Sequence, residues 1–245
     1  MQIDISSASS APAVIIFGNG SNIGAALVQG FLDAGYRVAT VSRSKKSATP
    51  HPEVHHIQAD LSYPKSIPRV FAEVDAAGYP FPSVLVWNAA AVTVPTDPEN
   101  PFEVPEEAFA RDADLMITSP YFASREAVRV WKEINESNKV EGGHERRGTF
   151  IMTGNLLARK TLPVPSLVGL GIGKSGAFSW ISLADQVFRE KGIRFFFADE
   201  RKADGGPADA KPDAEGHAKI YLQLTTDNEI PSYVTFVDGK YREFS

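Results

Sequence analysis

Seven residues near the N-terminus, Gly18-Asn19-Gly20-Ser21-Asn22-Ile23-Gly24, follow directly on the apolar, β-branched run at 14–17. Glycines there let a backbone turn tightly and come close to a diphosphate, and a helix starting behind them would aim its positive N-terminus at that anion. A tight structural turn needs the same glycines. Their place inside a first strand, turn and helix unit is what points to a dinucleotide, and it marks Gly18, Gly20, Ser21, Asn22, Ile23 and Gly24 as cofactor-binding candidates. A second chemical signal stands at the end of the next apolar run, where Ser42 is followed by Arg43, Lys45 and Lys46. A carboxylate at that point would accept a hydrogen bond from a ribose 2′-hydroxyl, whereas cations without a carboxylate suit a 2′-phosphate. A solvated basic turn has the same composition, but together the two signals point to NADP(H).

Asp60-Leu61, Asn88-Ala89-Ala90, Asn155 and Lys174 each follow, or come soon after, a further apolar run. Asp199, Glu200 and Arg201 have two readings, pairing among themselves or presenting charge to a substrate. His217 is the only late histidine; it could act as an acid, but a lone exposed histidine is more often inert. His55, His56 and His144 have no spacing that suggests a metal ligand set, and no metal is expected. Cysteine is absent, which excludes disulfides, thiolate metal sites and cysteine nucleophiles.

Positioning these residues falls to an alternation of strand and helix patterns. Short apolar runs at 14–17, 37–41, 54–58, 83–87, 149–153, 193–198 and 233–237 read as seven strands. Ile23, Leu27, Phe31 and Leu32 recur at helical spacing before Gly35, and Ile67, Val70, Phe71 and Val74 mark a second helix. Residues 109–135 read as a helix that Pro120 should kink or break. A helix from about 174 to 190 ends at Gly192. Gly169, Gly171 and Gly173 ahead of it read either as backbone approaching a ligand closely or as a flexible loop leading into that helix. Residues 203–216 contain Gly205, Gly206, Pro207 and Pro212 and read as a long, lid-like surface loop. The expected fold is therefore α/β: a doubly wound, mostly parallel, seven-stranded Rossmann sheet with helices on both faces. It would form one domain over 13–245 behind a flexible arm at 1–12.

A formal charge of -5 and 22% charged residues over 245 residues describe an ordinary soluble surface with no basic stripe for a nucleic-acid backbone. No stretch reads as a signal segment or a bilayer span. The expectations are a cytoplasmic protein, a small-molecule substrate, and no nucleic-acid or membrane partner.

The order and spacing of these motifs from Val14 to Val237 resemble the short-chain dehydrogenase/reductase family. In that resemblance Asp60-Leu61 sits at the adenine ring, Asn88-Ala89-Ala90 stands for the family's Asn-Ala-Gly motif, and Lys174 holds the nicotinamide ribose. Val237-Asp238-Gly239 resembles the end of the last strand. The resemblance also implies a homodimer or homotetramer through the helices around Pro120 and Lys174. It fails at the chemical centre. The family's tyrosine, four residues before the lysine, protonates the substrate oxygen as hydride arrives, and that position holds Leu170. No tyrosine lies between Arg159 and Lys174. The family's serine aligns with Asn155, its helix asparagine with Met116, its Pro-Gly pair with Glu200-Arg201, and the middle glycine of its fingerprint with Asn22. Lys174 and Asn155 are then the catalytic candidates, and three functions follow: an NADP(H)-dependent oxidoreductase with an atypical active site, a catalytically inactive NADP(H)-binding sensor or scaffold, or a lyase or isomerase derived from the family.

Overall fold

Buried on both faces, the strands read as near-continuous apolar runs, and in the computed structural model they build one sheet. The structure describes residues 11–44, 50–137 and 148–244, so Lys45, Lys46, His144 and residues 1–10 of the N-terminal arm lie outside the described residues. β1 (Ala13–Phe17), β2 (Arg37–Ser42), β3 (Val54–Gln58), β4 (Val84–Trp87), β5 (Gly148–Thr153), β6 (Ile193–Glu200) and β7 (Tyr233–Val237) are parallel, in the order β3-β2-β1-β4-β5-β6-β7. An eighth strand, β8 (Lys240–Tyr241), pairs antiparallel with β7 at the edge. The expectation of seven strands is corrected by this two-residue addition, which is too short to carry a periodic signal. Asp238 and Gly239 turn the chain into it at φ +50° and +70°.

The sheet alternates side chains between two cores. Ile15 and Phe17 of β1 face α2 (Ile67–Ala76), α4 (Ser119–Ser137) and α5 (Val168–Phe188), whereas Val14 and Ile16 face α1 (Ile23–Asp33) and α6 (Ala214–Leu224). No helical pattern is legible in the sequence where α6 lies. Asp213 starts it by accepting a hydrogen bond from the Gly216 N–H, so the irregular loop ends at 213 and Gly216 is helical.

Pro120 does not itself mark the break in its helix. α3 (Glu106–Ala113) passes through a five-residue π-helical turn, Asp114–Thr118, in which the Ser119 N–H reaches back to the Asp114 carbonyl, and α4 starts at Ser119. Proline has no N–H to donate to the Met116 carbonyl in an α pattern, and the chain absorbs this by widening the turn before the proline rather than bending at it.

A larger departure lies in α5, which begins at Val168, six residues ahead of the expected start, and contains Gly169, Leu170, Gly171 and Gly173. The loop reading does not hold, because all three are helical. Each costs roughly 1 kcal/mol of helix propensity relative to alanine, and close packing offsets it at Gly173 and at the later Gly176. A Cβ on Gly173 would lie 2.7 Å from Met116 Cε and 2.8 Å from Met116 Cβ, and one on Gly176 would lie 2.7 Å from Ile117 Cδ1. The missing side chains let α5 seat directly on the π turn.

With its flanking turns, α5 is also long and apolar enough to cross a bilayer by length and composition, contrary to the sequence expectation. In the fold it covers the sheet, with Ala177 and Ile181 in the core and Asp185 paired to Arg194 at 2.8 Å. Its outer face and that of α4 leave Tyr121, Ile172, Leu183 and Val187 exposed.

The packing of Gly173 on Met116 is directly testable. Gly173→Ala should destabilise the protein by about 1–3 kcal/mol through overpacking, against the gain of about 1 kcal/mol that alanine brings to a free helix. Combining it with Met116→Ala should recover part of the loss in a denaturation cycle; additive effects would show that the two residues do not share the contact.

Candidate active site

The sheet's parallel strands end along one edge, where the chain leaving β1 runs towards β2 and the chain leaving its neighbour β4 runs towards β5, so that a crevice opens above the pair. A cleft of about 550 Å³ occupies it, reaching from Gly18 and Gly20 past Ser42, Arg43, Asp60 and Leu61 to Asn88 and Ala89. Gly18 adopts φ +96°, and a Cβ there would lie 2.5 Å from the Ala89 backbone nitrogen, so only glycine lets β1 and β4 leave the sheet this close together. A Cβ on Gly20 would meet nothing within 4 Å; that side is open to the cleft. The first turn of α1 has no side-chain cap, which suits an anion at that end, although its Ala25 N–H already donates to the Gly20 carbonyl at 3.0 Å.

Ile23 packs against the α1 core and Gly24 against Asn19, with Asn19 atoms 3.0 Å from a Gly24 Cβ. Asn22, at the N-terminal boundary of α1, donates from Nδ2 to the Pro212 carbonyl at 3.0 Å, and Ser21 is exposed. Of the glycine-loop candidates, Gly18 and Gly20 line this cleft, while Ser21, Asn22, Ile23 and Gly24 stand behind it.

At the β2 end Ser42 lies 3.5 Å from His56 Nε2, and exposed Arg43 accepts from Gln58 through its carbonyl at 3.1 Å. No carboxylate occupies the end of β2. Asp60 accepts from the Ser62 hydroxyl at 2.7 Å and the Ser62 N–H at 3.0 Å. Those bonds, helped by the Arg43 and Arg111 charges, hold its carboxyl below the usual carboxylate range. Leu61 is 4% exposed and supplies an apolar wall. This end of the cleft thus combines an open glycine turn, the Arg43 cation and an apolar wall.

A hydrogen-bonded chain crosses the floor. Asn88 Nδ2 donates to the Gly18 carbonyl at 2.9 Å, Thr153 donates to Asn88 Oδ1 at 2.9 Å, and the buried Tyr221 phenol donates to Thr153 at 2.8 Å. Lys174, 3% exposed, donates from Nζ to the Thr153 carbonyl at 2.6 Å. Burial pushes its ammonium down to about 8, with the Asp199 charge opposing. Asn155 accepts from the Leu157 N–H at 3.1 Å and caps a short turn, which leaves its Nδ2 as the donor.

Asp199 and Glu200, which the sequence reading sets beyond the sixth strand, form the end of β6, and with Arg201 just after it they are held by structural contacts. Asp199 Oδ2 accepts from Arg201 Nε at 2.8 Å and from the Tyr233 phenol at 2.7 Å, and burial raises the Asp199 carboxyl. Glu200 accepts from the Asp213 N–H at 3.1 Å, and burial raises it too. His217 corrects its expectation. It is 2% exposed rather than a surface group, its Nδ1 lies 2.7 Å from the Asp213 carbonyl, and burial lowers its basicity. Among the described residues, no group of three or more His, Asp or Glu converges as a metal site.

Sequence reasoning missed Thr153 and Tyr221, which join the floor only across the sheet, and Arg111 and Asp112 of α3, which line the cleft. The one signal for the latter pair was charge on a helix stretch leading into apolar Leu115 and Met116.

A strand, glycine turn and helix, a switch-point cleft and a buried lysine linked to it through Thr153 and Asn88 are the features of a dinucleotide-binding α/β fold. Comparison with known proteins gives the family. The model of the family described as short chain dehydrogenase matches residues 12–143. The chain is 35% identical over 242 residues to short chain dehydrogenase/reductase dmxR12 of Cryptosporiopsis sp. (strain 8999), across 94% of this chain and 93% of that one. It therefore belongs to the short-chain dehydrogenase/reductase family. Among solved structures, a metagenomic short-chain oxidoreductase in complex with NADP superposes with a TM-score of 0.75 at 17% identity, covering 94% of this chain and 99% of that one. A 3-ketoacyl-(acyl-carrier-protein) reductase from Brucella melitensis complexed with NADH gives 0.76 at 17%, covering 94% and 98%. Both share the fold.

Burial of Lys174 has a consequence for stability. Its value of about 8 in the fold stands against 10.5 for a free lysine. Between those values the folded chain has released a proton that the unfolded chain keeps, so stability should rise with pH from 8 towards 10. Below pH 8 both states carry the charge and the fold bears its desolvation. Lys174→Met should flatten that rise in denaturant midpoints and be the more stable protein at pH 7. A slope equal to that of wild type would take the lysine out of the interior. Above pH 10 the buried phenols, whose ionisation is raised, work in the opposite direction, so the comparison belongs at pH 8–10.

Proposed function

We propose that the chain is an NADP(H)-dependent oxidoreductase acting on a small-molecule substrate, with an active site that does without the family's tyrosine. The carrying observation is the β2 end of the cleft, where Ser42 and Arg43 stand and no carboxylate does. In this reading Arg43 pairs with the 2′-phosphate, Gly18 and Gly20 admit the diphosphate, Asp60 and Leu61 flank the adenine, and Asn88, Ala89 and Lys174 border the nicotinamide side. A nicotinamide cofactor held there supplies hydride. Met116, packed on Gly173, covers α5 beside Lys174, and Lys174 and Asn155 are the groups left to donate protons or hydrogen bonds. The exposed apolar face of α4 and α5 is the surface we assign to self-association as a homodimer or homotetramer, and a cytoplasmic setting accompanies the reading.

Cofactor choice is measured by titration. NADPH should bind more tightly than NADH by at least about tenfold, the value of roughly one charge-assisted contact, and Arg43→Ala should remove most of that difference. Superimposable curves for the two cofactors would rule out the 2′-phosphate reading.

Turnover tests the missing acid. Simple ketones and aldehydes should be reduced about a hundred- to ten-thousandfold below the rates of a site with a positioned acid. A tyrosine at 170 would share a helix face with Lys174 one turn away, so the α5 backbone would hold it. Even so, Leu170→Tyr alone should gain less than about tenfold, because Asn155 Oδ1 is committed to the Leu157 N–H and residues that act as a unit are non-additive. Adding Asn155→Ser should gain more. NADPH oxidation over a panel of ketones, aldehydes, quinones and imines reads both; ordinary ketone rates in wild type would sink the account.

A further inference from the structure

Asp112 stands on the last turn of α3 and lines the cleft, yet it is only 3% exposed and its Oδ2 is buried without a hydrogen-bond partner among the described residues. An unpaired carboxylate oxygen in an interior is costly, and native folds keep such an atom where a ligand or water completes it. Oδ2 faces the first turn of α5. A Cβ built on Gly169 would lie 3.9 Å from it, with nothing else within 4 Å. That turn bears Leu170 and, one turn on, Lys174. The neighbouring Arg111 serves the other end, since its charge reaches Asp60. The two consecutive residues thus divide the cleft, the cation towards the adenine and the carboxylate towards α5.

A carboxylate takes hydrogen-bond donors and repels phosphate, so of the groups a dinucleotide carries past α5 the one that suits it is a ribose diol. Two adjacent O–H donors match two carboxylate oxygens, and rotation about Cβ–Cγ exchanges which oxygen faces the cleft. We propose that Asp112 is a ligand-binding residue, accepting a hydrogen bond from a hydroxyl of the nicotinamide-side ribose of NADP(H). The assignment rests on the NADP(H) reading above. The residue would distinguish a complete dinucleotide from an adenine-nucleotide fragment.

The sign of the effect separates a contact from a bystander charge. Removing a negative charge near a polyanion tightens binding through the long-range field, whereas removing an acceptor that the ligand uses weakens it. The full chain, with Asp112→Leu and Asp112→Asn, is titrated with NADPH and with 2′,5′-ADP, which lacks the second ribose. Asp112→Leu should weaken NADPH by about tenfold or more, and Asp112→Asn by less, since its carbonyl still accepts. Binding of 2′,5′-ADP should stay the same or tighten. The ligand-free Leu variant should melt no lower than wild type, because an unpaired buried acceptor has been removed; if it does not fold, the Asn variant is judged on the same two ligands. Unchanged or tighter NADPH binding in the variants, or equal weakening of both ligands, overturns the proposal while leaving the cofactor reading intact. Wild type that binds neither ligand overturns the cofactor reading and this proposal with it.

Discussion

Thr153 at the end of β5 is the atom cluster on which the site hangs. Its hydroxyl accepts from Tyr221 and donates to Asn88, whose amide holds the Gly18 carbonyl, and its own carbonyl takes the Lys174 ammonium. Four elements from both faces of the sheet meet there. Each neutral bond of this kind is worth only about 1 kcal/mol net, but inside a low-dielectric interior the bonds polarise one another and a half-broken network is worse than none. The chain sets the width of the crevice between β1 and β4, and it aligns the glycine turn with the lysine. The chemistry depends on that alignment.

Lys174 is kept in the interior by α5, and α5 is kept there by glycines. Because Gly173 and Gly176 carry no side chains, Met116 and Ile117 fill the space beside the helix, and the π turn at Asp114–Thr118 brings them to it. A cation so buried is easier to discharge than one in water, which gives the site a proton-exchanging group although Leu170 offers none.

The loop after β6 is tied to the cofactor cradle rather than free of it. Asn22 holds the Pro212 carbonyl, Glu200 holds the Asp213 N–H, and Asp213 caps α6. Arg201 bridges Asp199 and the Gly205 carbonyl. The end of the loop is therefore anchored at the mouth of the glycine turn, so movement of either segment is felt by the other.

The strands were legible in the sequence because a parallel sheet covered on both faces needs uninterrupted apolar runs, and β3 and β7 fall where those runs stand. The glycine turn was legible for a similar reason: Gly18 must adopt a backbone closed to other residues. α5 was not, since its first turns spend helix propensity on three glycines, and the packing of Gly173 on Met116 and of Gly176 on Ile117 is a contact across more than fifty residues of chain. Nor was α6, whose cap Asp213 lies in a loop of glycines and prolines. His217 read as exposed because local composition says nothing about which helix face meets the sheet. For the same reason sequence could name Lys174 and Arg43 but neither Thr153 nor Asp112. Local backbone preference and apolar period are written residue by residue, whereas burial, pairing and the orphaned oxygen of Asp112 arise only where distant segments close on one another.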